Sequence, residues 1–339
     1  MTMTNSLVDD EFLQQANPFR RELLAHCDRM LGSVHDAEDL VQETSLRAWR
    51  AYDRFEGRSS LRTWLHRIAT TVCLTALENR GKRPLPTGLG APDSAPQDAL
   101  DEQREVPWLE PVPDALLPER GDPAAIVAER ESTRLAFIAA LQHLPPKQRA
   151  VLLLREVLKW RAAEVAELLG TTTAAVNSSL QRARAQLEQA APAQDDVIEP
   201  LEPRQRAMLQ EWVAAFEAKD VSAIVALFTS DAVWEMPPFT GWYTGPATIG
   251  ELIAQRCPAG PGDMRLVGTA ANGQPAFGVY MRGPHGEFEP FQLQVLTLAG
   301  GRVRHVVAFG DPGLFETFGL PAALLAESPA DKREVTPAR

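Results

Sequence analysis

The chain is poor in cysteine: Cys27, Cys73 and Cys257 are the only three among 339 residues. They lie far apart and are odd in number, so neither a zinc-binding spacing nor a disulfide framework is suggested, and buried, reduced thiols are expected. The six histidines are scattered without ligand spacing, so no metal centre and no cofactor are expected. No apolar run approaches the roughly 20 residues needed to cross a bilayer, and no membrane partner is expected. The opening stretch "MTMTNSLVDDEF" is acidic and lacks a hydrophobic signal segment, which points to the cytoplasm. Internal repeats of the solenoid kind are absent. Basic charge is also short, with 34 Lys and Arg against 45 Asp and Glu, a net charge of -11. Spread evenly, that balance would argue against nucleic acid.

The charge is not spread evenly. Residues 1 to 83 balance, with 12 acidic and 12 basic groups, whereas residues 84 to 122 hold 9 acidic against 2 basic. Residues 123 to 190 reverse the sign, with 9 basic against 6 acidic, and the rest is acidic again. A local positive face is what phosphate binding requires, and the whole-chain sum does not decide it.

The same divisions appear in composition. "RPLPTGLGAPDSAPQDALDEQREVPWLEPVPDALLPERGDP" is rich in Pro, Ala and acid with little apolar periodicity, and reads as a linker over 84 to 122. A shorter break, "QAAPAQDDVIEPLEPRQR", follows Leu187. Three folded units are therefore expected, over 8 to 83, 123 to 190 and 203 to 325.

In the middle unit, "AAEVAELLGTTTAAVNSSLQRARAQL" reads as two short amphipathic helices hinged at Gly170, with Thr171 or Thr172 capping the second. Val176, Leu180, Ala183 and Leu187 form one apolar stripe on that second helix. Its other side carries Thr173, Asn177, Ser178, Gln181 and Arg182, flanked by Arg184. The small residue Ala166, the glycine turn and Val176 fit a helix-turn-helix, whose second helix lies in the major groove. Asn, Gln and Arg can read base edges, and Ser and Thr can reach bases or phosphates. An ordinary helical hairpin with a solvated polar face shares this outline.

The first unit reads as all helix. "HDAEDLVQETSLRAWRAYDRF" places Ala37, Leu40, Val41, Thr44 and Ala48 at helical spacing, and "LRTWLHRIATTVCLTALENRGKR" does so with Leu61, Leu65, Ile68, Val72 and Leu77. Six basic residues and one acidic one lie between Arg58 and Arg83, close to Tyr52, Phe55 and Trp64. Basic residues interleaved with aromatics suit single-stranded DNA, since charge tracks the backbone and rings stack on unpaired bases. Core packing is the other reading of the aromatics, above all for Trp49 and Trp64.

Together, "DAEDLVQETSLRAWRAYDRFEGRSSLRTWLHRIATTVCLTAL" and "LPPKQRAVLLLREVLKWRAAEVAELLGTTTAAVNSSLQRARAQL" resemble the two domains of a bacterial extracytoplasmic-function (ECF) sigma factor, over about half the chain. The resemblance implies two all-α sigma domains: a helical region 2 bundle and a helix-turn-helix region 4. It implies RNA polymerase core (its β′ clamp helices and β flap) and promoter DNA as partners. Asp36, Glu38, Asp39, Leu40, Gln42 and Glu43 match the stretch that docks on the clamp helices, and their acidity suits a basic surface. Tyr52, Phe55, Arg58, Ser59, Arg62, Trp64, His66 and Arg67 match the element that captures a flipped base of the -10 element and its adjacent backbone, helped by the basic end near Arg80. Thr173, Asn177, Ser178, Gln181, Arg182 and Arg184 match the readers of the -35 element. The acidic linker would thread toward the active-site channel and RNA exit path.

The last unit departs from the two-domain pattern. "DAVWEMPP" and "GWYTGPATIGELI", followed by extended segments near 263 to 270, 275 to 281, 287 to 298 and 302 to 310, resemble a SnoaL-like α+β cone with a curved sheet. Sigma factors bearing such a domain form recognised subgroups. Trp234, Trp242, Tyr243, His305 and Phe309 are candidates to line a ligand pocket. Glu235 beside His305 could do acid–base work, but a regulatory module that contacts protein is the expected role, with no catalysis. A small ligand or a separate anti-sigma protein stays open as a partner. Two further classes share part of this pattern: a ligand-responsive helix-turn-helix regulator, and a DNA-binding module fused to a SnoaL-type enzyme.

Overall fold

The computed structural model describes residues 11–78, 81–118, 132, 134–190 and 203–325. The chain divides into two compact units. One comprises Met1–Gly88, Arg104–Gln194 and Ala271–Gly273; the other comprises Leu89–Gln103, Asp195–Ala270 and Gln274–Arg339.

The first unit is helical. Its helices are α1 (Arg20–Leu31), α2 (Val34–Ala51), α3 (Leu61–Leu77), α4 (Leu135–Gln142), α5 (Pro146–Leu152), α6 (Ala162–Leu168) and α7 (Thr173–Ala190). Gly32 ends α1 with a φ of 72°, a left-handed geometry that glycine adopts without strain. The chain then restarts at once, because the Ser33 hydroxyl accepts the Asp36 amide at 3.1 Å and caps α2. Ser60 caps α3 in the same way, accepting from the Thr63 amide at 3.1 Å. Helices α1, α2 and α3 pack on one another, and α5 packs against α1 and α3. One apolar core therefore runs from Leu24, Met30, Val41 and Leu65 to Leu141, Leu154, Val165 and Val176.

At the hinge expected in the sequence, α6 gives way to Gly170 with a φ of 61°. Thr172, not Thr171, caps the next helix: its hydroxyl accepts the Ala175 amide at 3.2 Å. Val176, Leu180 and Ala183 are buried, and this stripe turns the opposite side of α7 outward.

The second unit is an α+β domain. Helices α8 (Pro203–Glu217), α9 (Val221–Ala226) and α10 (Pro246–Arg256) accompany a six-stranded mixed sheet, and α11 (Gly313–Thr317) follows it. The strands are β1 (Phe228–Glu235), β2 (Trp242–Thr244), β3 (Met264–Ala271), β4 (Gln274–Arg282), β5 (Phe288–Ala299) and β6 (Arg302–Phe309), in the order β2-β1-β6-β5-β4-β3. β1 pairs with β6 in parallel and with β2 antiparallel. The short β2 inside "GWYTG" was not among the extended segments expected. Trp212 of α8 packs on Phe228 of β1 and Phe216 on Trp234, with ring centroids 5.5 and 6.2 Å apart, and the four rings fill the space between helix and sheet.

The segment read as an acidic linker makes hydrogen bonds to its surroundings where it is described; its last residues, 119 to 122, lie outside the described residues. Residues 91 to 103 belong to the α+β unit. There Ala91 accepts the Trp242 indole N–H at 3.0 Å, Ser94 donates to Trp242 at 2.7 Å, and Arg256 donates to the carbonyls of Pro96 and Asp98. Leu109 and Glu110 belong to the helical unit, where Leu109 is fully buried and Glu110 accepts from Ser33 at 2.7 Å. Extended, proline-rich backbone shows no periodicity in sequence, yet its free carbonyls and amides remain available to a neighbour.

Candidate polymerase and promoter interface

Helix α2 carries the polymerase candidates. Val34, Ala37, Val41, Thr44 and Ala48 are buried, which leaves Asp39 and Gln42 exposed and Glu43 half-exposed along the outside. Not all of the acidic group faces outward freely. Asp36 accepts from Arg83 at 2.5 Å in a pair whose side chains are both 17% exposed, and Leu40 is half-buried against the core. Glu38 lies 3.9 Å from Arg20, and Glu43 pairs with Arg47 one turn on at 2.6 Å. The outer face also has members that charge pattern alone did not indicate: Leu46 is 48% exposed and Trp49 is 41% exposed. Gln42, Leu46 and Trp49 follow the 3–4 residue spacing of one helix face, so an apolar strip continues the acidic one.

The candidates for unpaired DNA cluster at the end of α2 and the start of α3. Tyr52, Phe55 and Trp64 form a chain of rings: Tyr52 and Phe55 stack at 6.4 Å, and Phe55 meets Trp64 at 4.8 Å. All three are half-buried. The Tyr52 hydroxyl donates to Gln15 at 3.0 Å. Arg58 is exposed and pairs with Glu56, Ser59 is half-exposed, and Arg62 is held by Glu22 at 2.5 Å. His66 departs from this set. It is 1% exposed, and its Nδ1–H donates to the Arg62 carbonyl at 2.9 Å. The turn that presents Arg62 and Arg67 rolls residue 66 toward α1, where its ring lies 5.5 Å from that of His26. Burial depresses the pKa of both imidazoles and keeps them neutral. Arg80 lies outside the described residues.

On α7, Thr173, Asn177, Ser178, Gln181 and Arg182 are all exposed on one side. Arg182 donates to the Ser178 hydroxyl at 2.9 Å, one turn back, which orients its guanidinium along the helix. Arg184 is also exposed but bends away to Glu156 at 2.5 Å. Five polar side chains with donors and acceptors thus stand on a helix whose other face is anchored. That arrangement suits the major groove.

The expected pocket residues in the α+β unit divide between two faces of its sheet. Trp234 pairs with Tyr243 on β2 and with Val306 on β6, whereas Val233 pairs with His305. Neighbouring residues in a strand point to opposite faces. Trp234, against the rings of Phe216 and Phe228, and the buried Tyr243 therefore face the helices, while His305, Glu235, Trp242 and Phe309 take the other side. His305 Nε2 lies 2.7 Å from the fully buried Glu235 carboxylate. Among the described residues no cluster of His, Cys, Asp and Glu could hold a metal, and no helix is long and apolar enough to cross a membrane.

Comparison with known proteins places names on these units. Residues 16–83 match the model of Sigma-70 region 2, residues 134–187 match Sigma-70 region 4, and residues 209–309 match the SnoaL-like domain. The ECF RNA polymerase sigma factor SigG of Mycobacterium tuberculosis is 60% identical over 316 residues, which is 93% of this chain and 85% of that protein. The chain belongs to the ECF sigma factor family. SigJ of the same organism, another ECF sigma factor, is 32% identical over 67% of this chain and 64% of its own length. The crystal structure of SigJ superposes with a TM-score of 0.58 at 24% identity, over 90% of this chain and 97% of that one, so the fold is shared. In this sigma factor, region 2 thus supplies α1 to α3, region 4 supplies α4 to α7, and the SnoaL-like domain follows.

Proposed function

We propose that this ECF sigma factor binds RNA polymerase core and directs promoter-specific initiation, reading the -35 element with α7 and capturing an unpaired base of the -10 element at the Tyr52–Phe55–Trp64 rings. The carrying observation is the outer face of α7, where five polar side chains stand exposed over a buried Val176–Leu180–Ala183 stripe. The outer face of α2, with Asp39, Gln42 and Glu43 beside Leu46 and Trp49, takes the β′ clamp helices, and region 4 takes the β flap. Such work takes place in the cytoplasm. Sequencing the transcripts made in vitro by this protein with core polymerase tests the reading. Start sites sharing two upstream elements are expected, and initiation that still requires another sigma factor would overturn it.

The SnoaL-like domain acts on initiation without turning over a substrate. The support is the set of hydrogen bonds by which Trp242, Thr240 and Arg256 of this unit hold residues 91 to 103, part of the connection between regions 2 and 4. A small ligand or an anti-sigma protein that prefers one form of this attachment would shift the sigma factor's activity. Truncation after Leu187 should change promoter-specific output. Unchanged output together with turnover of a small molecule by the excised domain would favour an enzyme.

A further inference from the structure

Residues 11–16 form a short helical stretch ahead of α1. Phe12 anchors it, being buried in the same apolar core as Leu24 and Val41. Phe12 also meets Tyr52, with ring centroids 5.1 Å apart, so the Tyr52–Phe55–Trp64 rings continue into the core through a fourth ring.

Three residues on, Gln15 is exposed, and its Oε1 accepts the Tyr52 hydroxyl at 3.0 Å. Its Nε2 donates to Glu11 Oε1 at 3.1 Å, one turn back. Each bond decides the direction of the other. A carboxylate only accepts, so Glu11 draws the amide nitrogen toward itself and leaves the oxygen for Tyr52. The hydroxyl proton of Tyr52 must then point at Gln15. Tyr52 gains from such a hold, because it lies in the short turn Tyr52–Arg54 that follows α2 and its ring is half-buried. A ring that keeps rotamer freedom loses it when a base stacks on it, and fixing the plane in advance removes that cost from binding. An exposed neutral hydrogen bond adds little to the stability of the whole fold, so the effect of this one is local.

We propose that Gln15 is a positioning residue for capture of the unpaired -10 base. Packed by Phe12 and held at its hydroxyl by Gln15, Tyr52 presents a fixed ring face to that base. Its proton is committed to Gln15, so the ring stacks without donating to the base edge. This role presupposes base capture at these rings, the reading proposed above.

The test is binding of holoenzyme, reconstituted from the full chain and core polymerase, to two fragments of a promoter found by transcript sequencing. One is a fork whose non-template -10 strand is unpaired, and the other is a fully paired fragment carrying the -35 element alone. Gln15→Ala should weaken fork binding about three- to fivefold, the worth of one hydrogen bond. Binding to the -35 fragment, affinity for core polymerase and the melting temperature should not change. Tyr52→Phe should reproduce the loss, and Gln15→Ala should add nothing to it. The loss should be the same with each of the four bases at the captured position. Glu11→Gln combined with Gln15→Glu keeps the net charge, supplies the same two hydrogen bonds with their directions retained at Tyr52, and should restore fork binding. A fork lacking the captured base is the control. Wild-type binding that ignores removal of the base overturns base capture, and the role of Gln15 with it. Where removal does weaken the wild type, three results overturn the role of Gln15 alone: fork binding by Gln15→Ala equal to wild type, a loss shared by the -35 fragment, or a loss that persists in full on the Tyr52→Phe background.

Discussion

Arg67 of α3 and Glu167 of α6 form an ion pair of 2.6 Å, which joins region 2 to the first helix of the helix-turn-helix. Arg67 is also a candidate for the promoter backbone. While Glu167 holds its guanidinium, a phosphate must compete for it.

The first prediction follows from that competition. The side chains are 30% and 69% exposed, so the pair adds less than about 1 kcal/mol to stability. Glu167→Gln should leave the melting temperature nearly unchanged and raise promoter affinity of the holoenzyme about two- to fivefold at low salt, an advantage that shrinks as salt screens the charges. Fluorescence anisotropy on a promoter fragment reads the effect. Equal or weaker binding by the variant would show that Arg67 does not reach the DNA.

A second link between the regions lies in the core. Arg149 of α5 is buried, and its guanidinium donates to the Met30 carbonyl, to the Gln142 side chain at 2.7 Å and to the Leu144 carbonyl at 3.2 Å. Burial lowers its pKa to about 10, so it stays charged at neutral pH. Arg149→Met keeps much of the volume but strands these acceptors, and it should cost about 2–4 kcal/mol in urea denaturation. Because Met30 belongs to region 2 and Arg149 to region 4, the variant should also split one unfolding transition into two. A loss below about 1 kcal/mol with a single transition would contradict this.

Local chemistry is what made the helix-turn-helix readable. Its apolar stripe, its glycine stop and its threonine cap all lie within the 26 residues of "AAEVAELLGTTTAAVNSSLQRARAQL". The same holds for the seryl caps of α2 and α3. What escaped was set by distant partners. His66 has the composition of a DNA contact, yet it is buried with its ring against His26 of α1, 40 positions earlier. The candidates Trp234 and His305 look like neighbours in a pocket, but pairing across β1 and β6 decides their faces, and a shift of one position reverses the answer. Residues 91 to 103 gave no pattern at all, because their order rests on hydrogen bonds made by Thr240, Trp242 and Arg256 to backbone and to Asp101.

The third prediction concerns pH. His26 donates to the Thr70 hydroxyl at 2.9 Å, and burial, then His66, then Arg29 hold its pKa well below 6.5. His66 is lowered too, chiefly by burial. Below pH 6.5 the unfolded chain therefore binds more protons at these two sites, and both make stability fall on acidification. Asp28 acts in the opposite sense. Burial raises its pKa from 3.8 to about 7, so within that window the folded chain holds the extra proton and acidification favours the fold. Below pH 6.5 the two imidazoles therefore work toward a loss on acidification and Asp28 works against it. Asp28→Asn should steepen that loss, and His26→Gln should flatten it. Stability that does not change between about pH 7 and 5 in wild type and Asp28→Asn alike would contradict the assignment.

The last prediction returns to α7. Arg182 and Gln181 are exposed, adjacent and free of the apolar stripe, and Ser178 holds the Arg182 guanidinium at 2.9 Å along the helix. A guanidinium oriented in this way can approach a guanine with two parallel donors, a geometry that lysine cannot reproduce. Arg182→Ala should therefore cost about 1–3 kcal/mol on the preferred promoter and relax the preference at one base pair. Arg182→Lys should recover little of that loss. Ser178→Ala should cost less than Arg182→Ala, since it removes only the orienting bond. Gln181→Ala should relax a neighbouring position by a similar amount. Binding measured over a set of single-base promoter variants separates the outcomes. Uniform weakening across all of them would assign Arg182 to a phosphate and reduce the salt dependence by about one ion. No change on any of them would mean that α7 does not read the DNA through this face.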